Sequence, residues 1–280
     1  MDKVGVIGCG TMGAGITLTC ATAGYSVKIV DTDSTSVENG LANIRSQIKR
    51  NVDREKISQL EGDSIFQRIA GGTDISFIAD SDYVIEAVFE DIEIKKNIFS
   101  SLEDICVDAK LIASNTSSLA IADISSACKR KDRILGIHFF NPVPVMGLVE
   151  LITSLDTSDE CINNAEAFVS SLNKTAINVK DTPGFVVNRL LIPYILDAIR
   201  VYESGIASRE DLDQGITLGL NHPMGPLSLA DLIGLDVVMM IAESLQKELG
   251  ESRFSPPTML RRLVSSGNLG RKTQQGFYSY

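Results

Sequence analysis

The stretch Val4–Ile16, VGVIGCGTMGAGI, decides the fold. A short apolar run, typical of a buried strand, ends in the pattern GxGxxG at Gly8, Gly10 and Gly13, and a helical segment follows from Thr11. A strand, a tight glycine turn and a helix in this order are the context in which the pattern binds a dinucleotide. The first glycine permits the turn, the second lets the backbone approach a pyrophosphate, and the third lets helix and strand pack closely.

The start of this helix is the predicted phosphate site, because backbone N–H groups and the positive end of the helix dipole meet there. The expected contacts are Gly8, Gly10, Thr11, Met12 and Gly13. The alternative is a glycine-rich turn that only packs tightly.

Asp31 favours nucleotide binding over that alternative. It ends the next strand-like run and lies 23 residues after Gly8, close to the offset of about 20 at which a carboxylate binds the ribose hydroxyls of adenosine. A carboxylate there repels a 2′-phosphate, and the residues that follow, Thr32 to Ser34, include no arginine. The sequence therefore predicts NAD as the cofactor, with NADP less favoured.

Short runs rich in valine and isoleucine alternate with helical stretches along the first part of the chain. The runs are KVGVIG, SVKIVD, YVIEAV, KLIASN, ILGIHFF, LVELI and TAINVK. Such alternation predicts an α/β fold with a Rossmann-like, mostly parallel sheet. A helical insert, one long helix and one shorter, is expected at about 34–81. Beyond it the pattern predicts a domain boundary that separates residues 1–183, which bind NAD, from an all-α domain at 184–280.

Composition excludes several classes of protein. A length of 280 residues suits two domains better than one, because single cores stop growing near ~250 residues. A formal net charge of −10 argues against nucleic-acid binding, which needs clustered lysine and arginine. No apolar run approaches the ~18 residues of a membrane span. The five cysteines contain no CxxC pair, so we expect a reducing, cytoplasmic location and no metal site.

The segment GIHFFNPVPVMGLVELI, residues 136–152, places His138 and Glu150 in two runs that otherwise suit a buried core. An unpaired buried charge costs several kcal/mol, so the two side chains are expected to pair. A carboxylate on one imidazole nitrogen leaves the other nitrogen able to exchange a proton. Beside a nicotinamide, such a pair would oxidise an alcohol. The alternative for His138 is a hydrogen-bonded core histidine without a catalytic role.

The polar residues of ASNTSSL, Ala113 to Leu119, follow the strand-like run KLIA. They are therefore expected at the carboxyl end of a strand, where open α/β sheets bind ligands. A loop with a helix cap is the alternative.

Taken together, the motifs closely resemble the short-chain 3-hydroxyacyl-CoA dehydrogenase family, including the 3-hydroxybutyryl-CoA dehydrogenases. They occur in the family's order from about residue 3 onward. The motifs are VGVIGCGTMGAGI, VIEAVFEDIEIKK, ASNTSSL, GIHFFNPVPVMGLVELI, DTPGFVVNRLLIP, LGLNHPMGPLSLADLIGLD and GRKTQQGFYSY. The resemblance implies NAD-dependent interconversion of an (S)-3-hydroxyacyl-CoA and a 3-oxoacyl-CoA.

The resemblance also implies roles for individual residues. His138 corresponds to the catalytic base and Glu150 to its partner, while Ser117 and Asn188 correspond to residues that contact the substrate oxygen. Further contacts with the cofactor are implied for Glu90, Lys95, Asn115, Asn141 and Lys272.

The helical insert contains a basic cluster, Lys49, Arg50, Arg54 and Lys56, in an otherwise acidic chain. The residues alone favour a solvated helix face. The resemblance implies that this region lies near the phosphates of CoA, so Lys49 and Lys56 are predicted to bind substrate. It further implies a homodimer formed by the helical domain, and we assign His222 of NHPMGP a structural role.

Two alternatives stay open at this point. One is an enzyme of the same fold that acts on a free hydroxy acid or sugar acid. The other is a non-catalytic dinucleotide-binding protein, which the fold alone does not exclude. Acyl chain length and physiological direction are also left open by the sequence.

Overall fold

The structure, a computed structural model, describes residues 2–280 and divides into two compact units. The first unit ends at Thr182, and the second spans Pro183–Tyr280. This division lies one residue before the boundary expected from the sequence.

The first unit is built on a sheet that has eight strands within residues 2–182, in the order β3-β2-β1-β4-β5-β6-β7-β8. Neighbouring strands are parallel except β6 and β7, which are antiparallel. The mostly parallel Rossmann-like sheet predicted from the sequence is therefore confirmed. The strands are β1 Lys3–Ile7, β2 Ser26–Val30, β3 Ile69–Gly72, β4 Tyr83–Glu86, β5 Leu111–Ser114, β6 Ile134–Phe139, β7 Leu148–Thr153 and β8 Thr175–Lys180.

The helices of the first unit connect these strands. They are α1 Thr11–Thr22, α2 Ser34–Asp53, α3 Gln59–Gln67, α4 Ile92–Ile105, α5 Ile121–Ser125 and α6 Asp159–Ser171, with 3-10 turns at Ile75–Ile78 and Lys131–Arg133. Four of them begin at side-chain caps, Asp33, Ser58, Asp91 and Ser158, whose oxygens accept hydrogen bonds from first-turn N–H groups. Such caps fix where a helix starts.

The insert at 34–81 contains the two predicted helices, α2 and α3, but it also contains β3, which the sequence analysis missed. β3 reads IAGG and pairs with β2. It has one large apolar residue and no alternation, so it carries no strand pattern to detect. A Cβ on Gly71 would lie 2.6 Å from the side chain of Val37, so glycine is needed there for α2 to pack on the strand.

The core of the first unit lies on both faces of the central strands. Val4 and Val6 of β1 and Val84 and Ile85 of β4 are fully buried, as expected for parallel strands covered by helices on both faces. The chain runs from β1 through β2 to β3 on one side and then returns to β4 on the other side of β1. This reversal creates a topological switch point between β1 and β4, where open sheets bind ligands.

Within residues 183–280 the second unit contains helices and no strand, apart from isolated β-bridges near its end, which confirms the predicted all-α region. Its core contains the fully buried side chains of Ile195, Leu196, Leu227 and Leu235. Across residues 2–280, no helix has both the length and the apolar character that spanning a membrane requires. The helices are α7 Val187–Glu203, α8 Arg209–Gly219, α9 Pro226–Ile233, α10 Leu235–Leu249 and α11 Thr258–Ser265, with 3-10 turns at Ser252–Phe254 and Arg271–Thr273.

A buried carboxylate on α9 holds the last residues of this unit. Asp231 is 1% exposed and accepts hydrogen bonds from the backbone N–H groups of Phe277 and Tyr278, each at 2.9 Å. The hydroxyl of Tyr280 also donates to it, at 3.0 Å. Three donors therefore satisfy a side chain whose burial would otherwise be costly.

A second carboxylate, Asp213 on α8, acts at the start of α9. It accepts from the backbone N–H groups of Leu227 (2.8 Å) and Ser228 (2.9 Å), which the first turn of that helix leaves unpaired. The hydroxyl of Tyr278 donates to it at 3.1 Å. Asp213 therefore links α8, α9 and the terminal segment.

Candidate active site

Most of the predicted site residues of the first unit lie at or just after the carboxyl ends of neighbouring strands. Strands β1, β4, β5 and β6 are mutually parallel, so their carboxyl ends share one edge of the sheet. The glycine loop follows β1, Glu90 follows β4, Asn115 follows β5, and His138 lies near the end of β6. The fold thereby brings together residues that are far apart in the chain.

The glycine loop has the geometry that a bound dinucleotide requires. Gly8 has φ +101°, and a Cβ on it would lie 2.5 Å from the carbonyl oxygen of Ala87. A Cβ on Gly13 would lie 1.8 Å from the carbonyl oxygen of Gly8, so helix α1 packs directly on the turn. A Cβ on Gly10 would meet no atom of residues 2–280 within 4 Å. The second glycine therefore faces open space, where a pyrophosphate could approach the backbone.

The start of α1 also suits a phosphate. Gly10 is the N-cap residue and has no side chain with which to cap the helix. The N–H groups of the first turn, at Thr11 and Met12, can therefore bind oxygens of a ligand. These residues fit a dinucleotide; their contacts with it remain a prediction.

Asp31 lies beside this loop. Its Oδ2 accepts from the N–H of Cys9 at 2.7 Å, and its Oδ1 accepts from the N–H of Thr32 at 2.8 Å. The carboxylate thus reaches from the end of β2 to the glycine turn and is held in a fixed position. Its predicted contact with the ribose is compatible with this position, because each oxygen has a second lone pair.

His138 and Glu150 are hydrogen-bonded, as the sequence analysis expected. They lie directly opposite each other in the antiparallel pair of β6 and β7, and His138 Nδ1 is 2.7 Å from Glu150 Oε2. The residues are 6% and 0% exposed, respectively. A cross-strand pair of this kind brings side chains on one face into contact without help from a loop. With Glu150 ionised, Nδ1–H is the donor, and this bond fixes the tautomer of the imidazole.

The loop that follows β6, residues 141–147, is held by a lysine that the sequence analysis did not identify. The ammonium group of Lys174 donates to the carbonyl oxygens of Val143 (2.7 Å) and Met146 (2.6 Å). The same loop carries the exposed Asn141, which is predicted to contact the nicotinamide. The Phe140 ring packs against the ring of His138, with 4.6 Å between centroids.

Asn115 connects the turn after β5 to the strand that carries the histidine. Its Oδ1 accepts from the backbone N–H of Phe139 at 2.9 Å. Asn115 therefore forms a structural bond next to His138, and its contact with the cofactor stays a prediction.

Glu90 organises the turn that contains Ser117. Its Oε1 accepts from the hydroxyl of Thr116 (2.5 Å) and from the backbone N–H groups of Ser117 (2.8 Å) and Ser118 (3.0 Å). Burial alone would raise the pKa of Glu90, but the charge of Lys95 and the bonds from Thr116 and Ser117 outweigh it, and the pKa is lowered. Glu90 is therefore a carboxylate at neutral pH.

Lys95 is 1% exposed and lies between two carboxylates. Its Nζ is 2.7 Å from Glu86 Oε1 and 3.2 Å from Glu90 Oε2. The protein encloses the ammonium group of Lys95, so the burial of this lysine does not support its predicted contact with the cofactor.

Glu86 lies fully buried at the end of β4, and the sequence prediction did not include it. A glutamate inside the apolar run YVIEAV is, however, the same signal that identified Glu150.

Two predicted site residues belong to the second unit. Asn188 lies near the start of α7 and is 9% exposed. The ammonium group of Lys272 forms an ion pair with Asp236 at 2.6 Å. The first unit supplies the other predicted residues, and the roles of Asn188 and Lys272 remain predictions.

The predicted CoA contacts lie in the insert. Lys49 is on α2, where its side chain is 75% exposed and pairs with Asp53 at 3.0 Å. Lys56 is exposed in the turn between α2 and α3. A cleft of about 530 Å³ runs between the two helices and includes Arg45, Lys49, Asp53 and Asp63 in its lining. This lining is mixed in charge, so it does not by itself select a phosphate.

Family models identify both parts of the chain. Residues 3–182 match the NAD binding domain of 3-hydroxyacyl-CoA dehydrogenase, and residues 184–280 match the C-terminal domain of the same enzyme. The chain therefore belongs to the 3-hydroxyacyl-CoA dehydrogenase family. The family and the class of enzyme predicted from the motifs are confirmed.

Individual relatives align with this chain over nearly its whole length. A 3-hydroxybutyryl-CoA dehydrogenase of Clostridioides difficile is 41% identical over 278 residues, covering 99% of each chain. A 3-hydroxybutyryl-CoA dehydrogenase of Mycobacterium tuberculosis is 42% identical and covers 100% of this chain and 99% of its own. The crystal structure of (S)-3-hydroxybutyryl-CoA dehydrogenase PaaH1 from Ralstonia eutropha superposes with a TM-score of 0.94 at 43% identity, covering 100% of this chain and 99% of the other.

Proposed function

We propose that this protein interconverts (S)-3-hydroxyacyl-CoA and 3-oxoacyl-CoA with NAD, and that the four-carbon 3-hydroxybutyryl-CoA is its main substrate. The observation that carries the proposal is the 2.7 Å contact between His138 and Glu150 at the ligand-binding edge of a dinucleotide-binding sheet. The names of relatives about 40% identical over the full length support the choice of substrate.

The proton is moved by the histidine. In oxidation, His138 takes the proton of the substrate hydroxyl on Nε2, while Glu150 stabilises the resulting imidazolium through Nδ1–H. The nicotinamide cofactor, when bound, supplies the hydride acceptor for oxidation and the hydride donor for reduction. In reduction, the His138 imidazolium returns the proton to the oxygen at C3.

Ser117 and Asn188 are proposed to hold the oxygen at C3. A hydroxyl and an amide can each donate a hydrogen bond to it, which favours the charge that develops there during the reaction. The bond between Glu90 and the Ser117 N–H supports this role, because it fixes the backbone of the serine. Lys49 and Lys56 are proposed to bind the phosphates of CoA.

We expect the protein to reduce acetoacetyl-CoA with NADH and to leave free acetoacetate unchanged at the same concentration. The rates are followed by the loss of NADH absorbance, and 3-oxoacyl-CoAs of four to ten carbons then define the preferred chain length. Reduction of free acetoacetate at a comparable rate would instead indicate a hydroxy-acid dehydrogenase. NADH binding without reduction of either compound would indicate a binding protein.

Asp31 is proposed to select NAD over NADP. In the Asp31→Ser variant, we expect the KM for NADH to rise about tenfold or more, because hydrogen bonds to a charged group are worth roughly 1.5–3 kcal/mol. The KM for NADPH should rise less, since the variant also removes the repulsion of the 2′-phosphate. Asp33→Ser, which keeps a good cap on α2, is the matched control. An unchanged ratio of the two KM values in Asp31→Ser would rule out this role.

We propose that the protein forms a homodimer through the helical unit, as the family resemblance implies. The side chains of Leu190, Leu218, Leu220 and Met240 in this unit are 56–74% exposed, and an interface that covered them would remove apolar surface from water. Sedimentation velocity tests the proposal, since a single species with the mass of one chain would contradict it. A cytoplasmic location stays a prediction of the sequence.

A further inference from the structure

We propose that Glu86 is a positioning residue for the reaction, which acts through Lys95 and Glu90 to hold Ser117 in place. This inference rests on the function proposed above, in which Ser117 contacts the substrate oxygen. Glu86 itself is fully buried.

The first step is the anchoring of Glu86. Its Oε1 accepts from Lys95 Nζ and from the N–H of Val88, each at 2.7 Å, and its Oε2 accepts from the hydroxyl of Ser114, also at 2.7 Å. These partners come from α4, the turn after β4, and the end of β5. Three short bonds to one buried carboxylate, two of them from rigid elements, leave it little freedom.

The second step passes from Glu86 to Glu90 through a cation. Lys95 is shared between Glu86, which is fully buried, and Glu90, whose side chain is 30% exposed. The shorter distance, 2.7 Å against 3.2 Å, is to Glu86. The buried carboxylate therefore fixes the ammonium group, and the ammonium group then fixes the more exposed carboxylate of Glu90.

The third step passes from Glu90 to the serine turn. One oxygen of Glu90, Oε2, faces Lys95. The other, Oε1, accepts hydrogen bonds from the hydroxyl of Thr116 and from the N–H groups of Ser117 and Ser118. The hydroxyl of Ser117 also lies 3.5 Å from that oxygen. A displacement of Glu90 would accordingly move both the backbone and the hydroxyl of Ser117.

The position of the network favours a role in geometry over one in stability. A buried ion pair is often no more stabilising than apolar residues of the same volume, so its presence needs another reason. Here the chain of charged bonds begins inside the sheet and ends at the turn that carries a proposed substrate contact. Displacement of a reacting group by about 1 Å is enough to cost up to ~10²-fold in rate.

The test is a double-mutant cycle between Glu86→Gln and Ser117→Ala, assayed with acetoacetyl-CoA and NADH. Glutamine keeps the shape of Glu86 and an acceptor for Val88, but it removes the charge that holds Lys95. We expect Glu86→Gln to lower kcat about tenfold while the KM for NADH changes less than about twofold. In the Ser117→Ala background, the same change should cost less than about twofold, because residues that act as one unit are not additive. Glu93→Gln, an exposed glutamate on α4, is the matched control and should leave kcat unchanged.

Additive losses in kcat, or a rise in the KM for NADH equal to the loss in kcat, would overturn the positioning role of Glu86. If Ser117→Ala alone had no effect, the proposed use of Ser117 in the reaction would fail instead. Should Glu86→Gln not fold, Glu86→Asp keeps the buried charge but shortens the side chain that holds Lys95, and the same cycle is repeated with it, with an expected loss in kcat of about threefold.

Discussion

We expect the His138→Gln protein to bind NADH normally and to reduce acetoacetyl-CoA about 10²- to 10⁴-fold more slowly. Glutamine can still donate a hydrogen bond to Glu150, so the buried carboxylate keeps a partner. It has no group that can take up or release a proton near neutral pH. The variant should therefore lose acid–base catalysis while keeping its fold and its cofactor affinity.

The measurement combines steady-state rates with a fluorescence titration of NADH. The sequence contains one other histidine, so His222→Gln is the matched control and should retain wild-type turnover. His222 is exposed, and the hydroxyl of Tyr194 lies 3.4 Å from its Nδ1. Wild-type turnover by the His138→Gln protein would contradict the proposed role of His138 in acid–base catalysis. Loss of NADH binding would instead assign His138 to the cofactor site.

The second large effect is expected on stability. The Asp231→Ala variant should lower the free energy of unfolding of the helical unit by about 3 kcal/mol or more. The reason is that the N–H groups of Phe277 and Tyr278 lose their acceptor, and each unsatisfied buried group costs roughly 1–3 kcal/mol. Hydrogen exchange of peptides from residues 226–280, read by mass spectrometry, measures this change without requiring the whole chain to unfold in one step.

Asp197→Ala is the control for this variant. Asp197 belongs to the same unit, but its side chain is 70% exposed and its partner Arg200 is three residues away on the same helix. Removing such a surface pair should change stability by less than about 0.5 kcal/mol. Equal protection of the 226–280 peptides in both variants would mean that the buried bonds of Asp231 contribute little.

The parts of the fold that the sequence predicts are those in which a local pattern coincides with a structural requirement. The glycines of Gly8–Gly13 are required by contacts within one strand–turn–helix unit, so their spacing alone identifies it. The sequence predicts that His138 and Glu150 pair, because each is an ionisable side chain in an apolar run and a buried charge without a partner is costly. In both cases, the physical requirement can be recognised from residue types that are adjacent in the sequence.

Other features depend on contacts that neighbouring residues do not reveal. The partners of Asp231 lie 46 and 47 residues further along the chain, and Lys174 reaches back 31 residues to the carbonyl oxygen of Val143. Each is an ordinary charged residue in a helical or turn segment, and only the folded chain gives it a target. The short strand β3 belongs with them, because its place in the sheet is defined by the packing of α2 on Gly71.

The antiparallel pairing of β6 with β7 limits where the gene can accept insertions and deletions. Side chains alternate between the two faces of a strand, so a change of one codon that shifts the pairing of the two strands by one residue would turn the carboxylate away from the imidazole. The connecting loop, by contrast, can change length without altering which residues face each other. Length variation among homologous genes should consequently be confined to the loop and absent from the two strands.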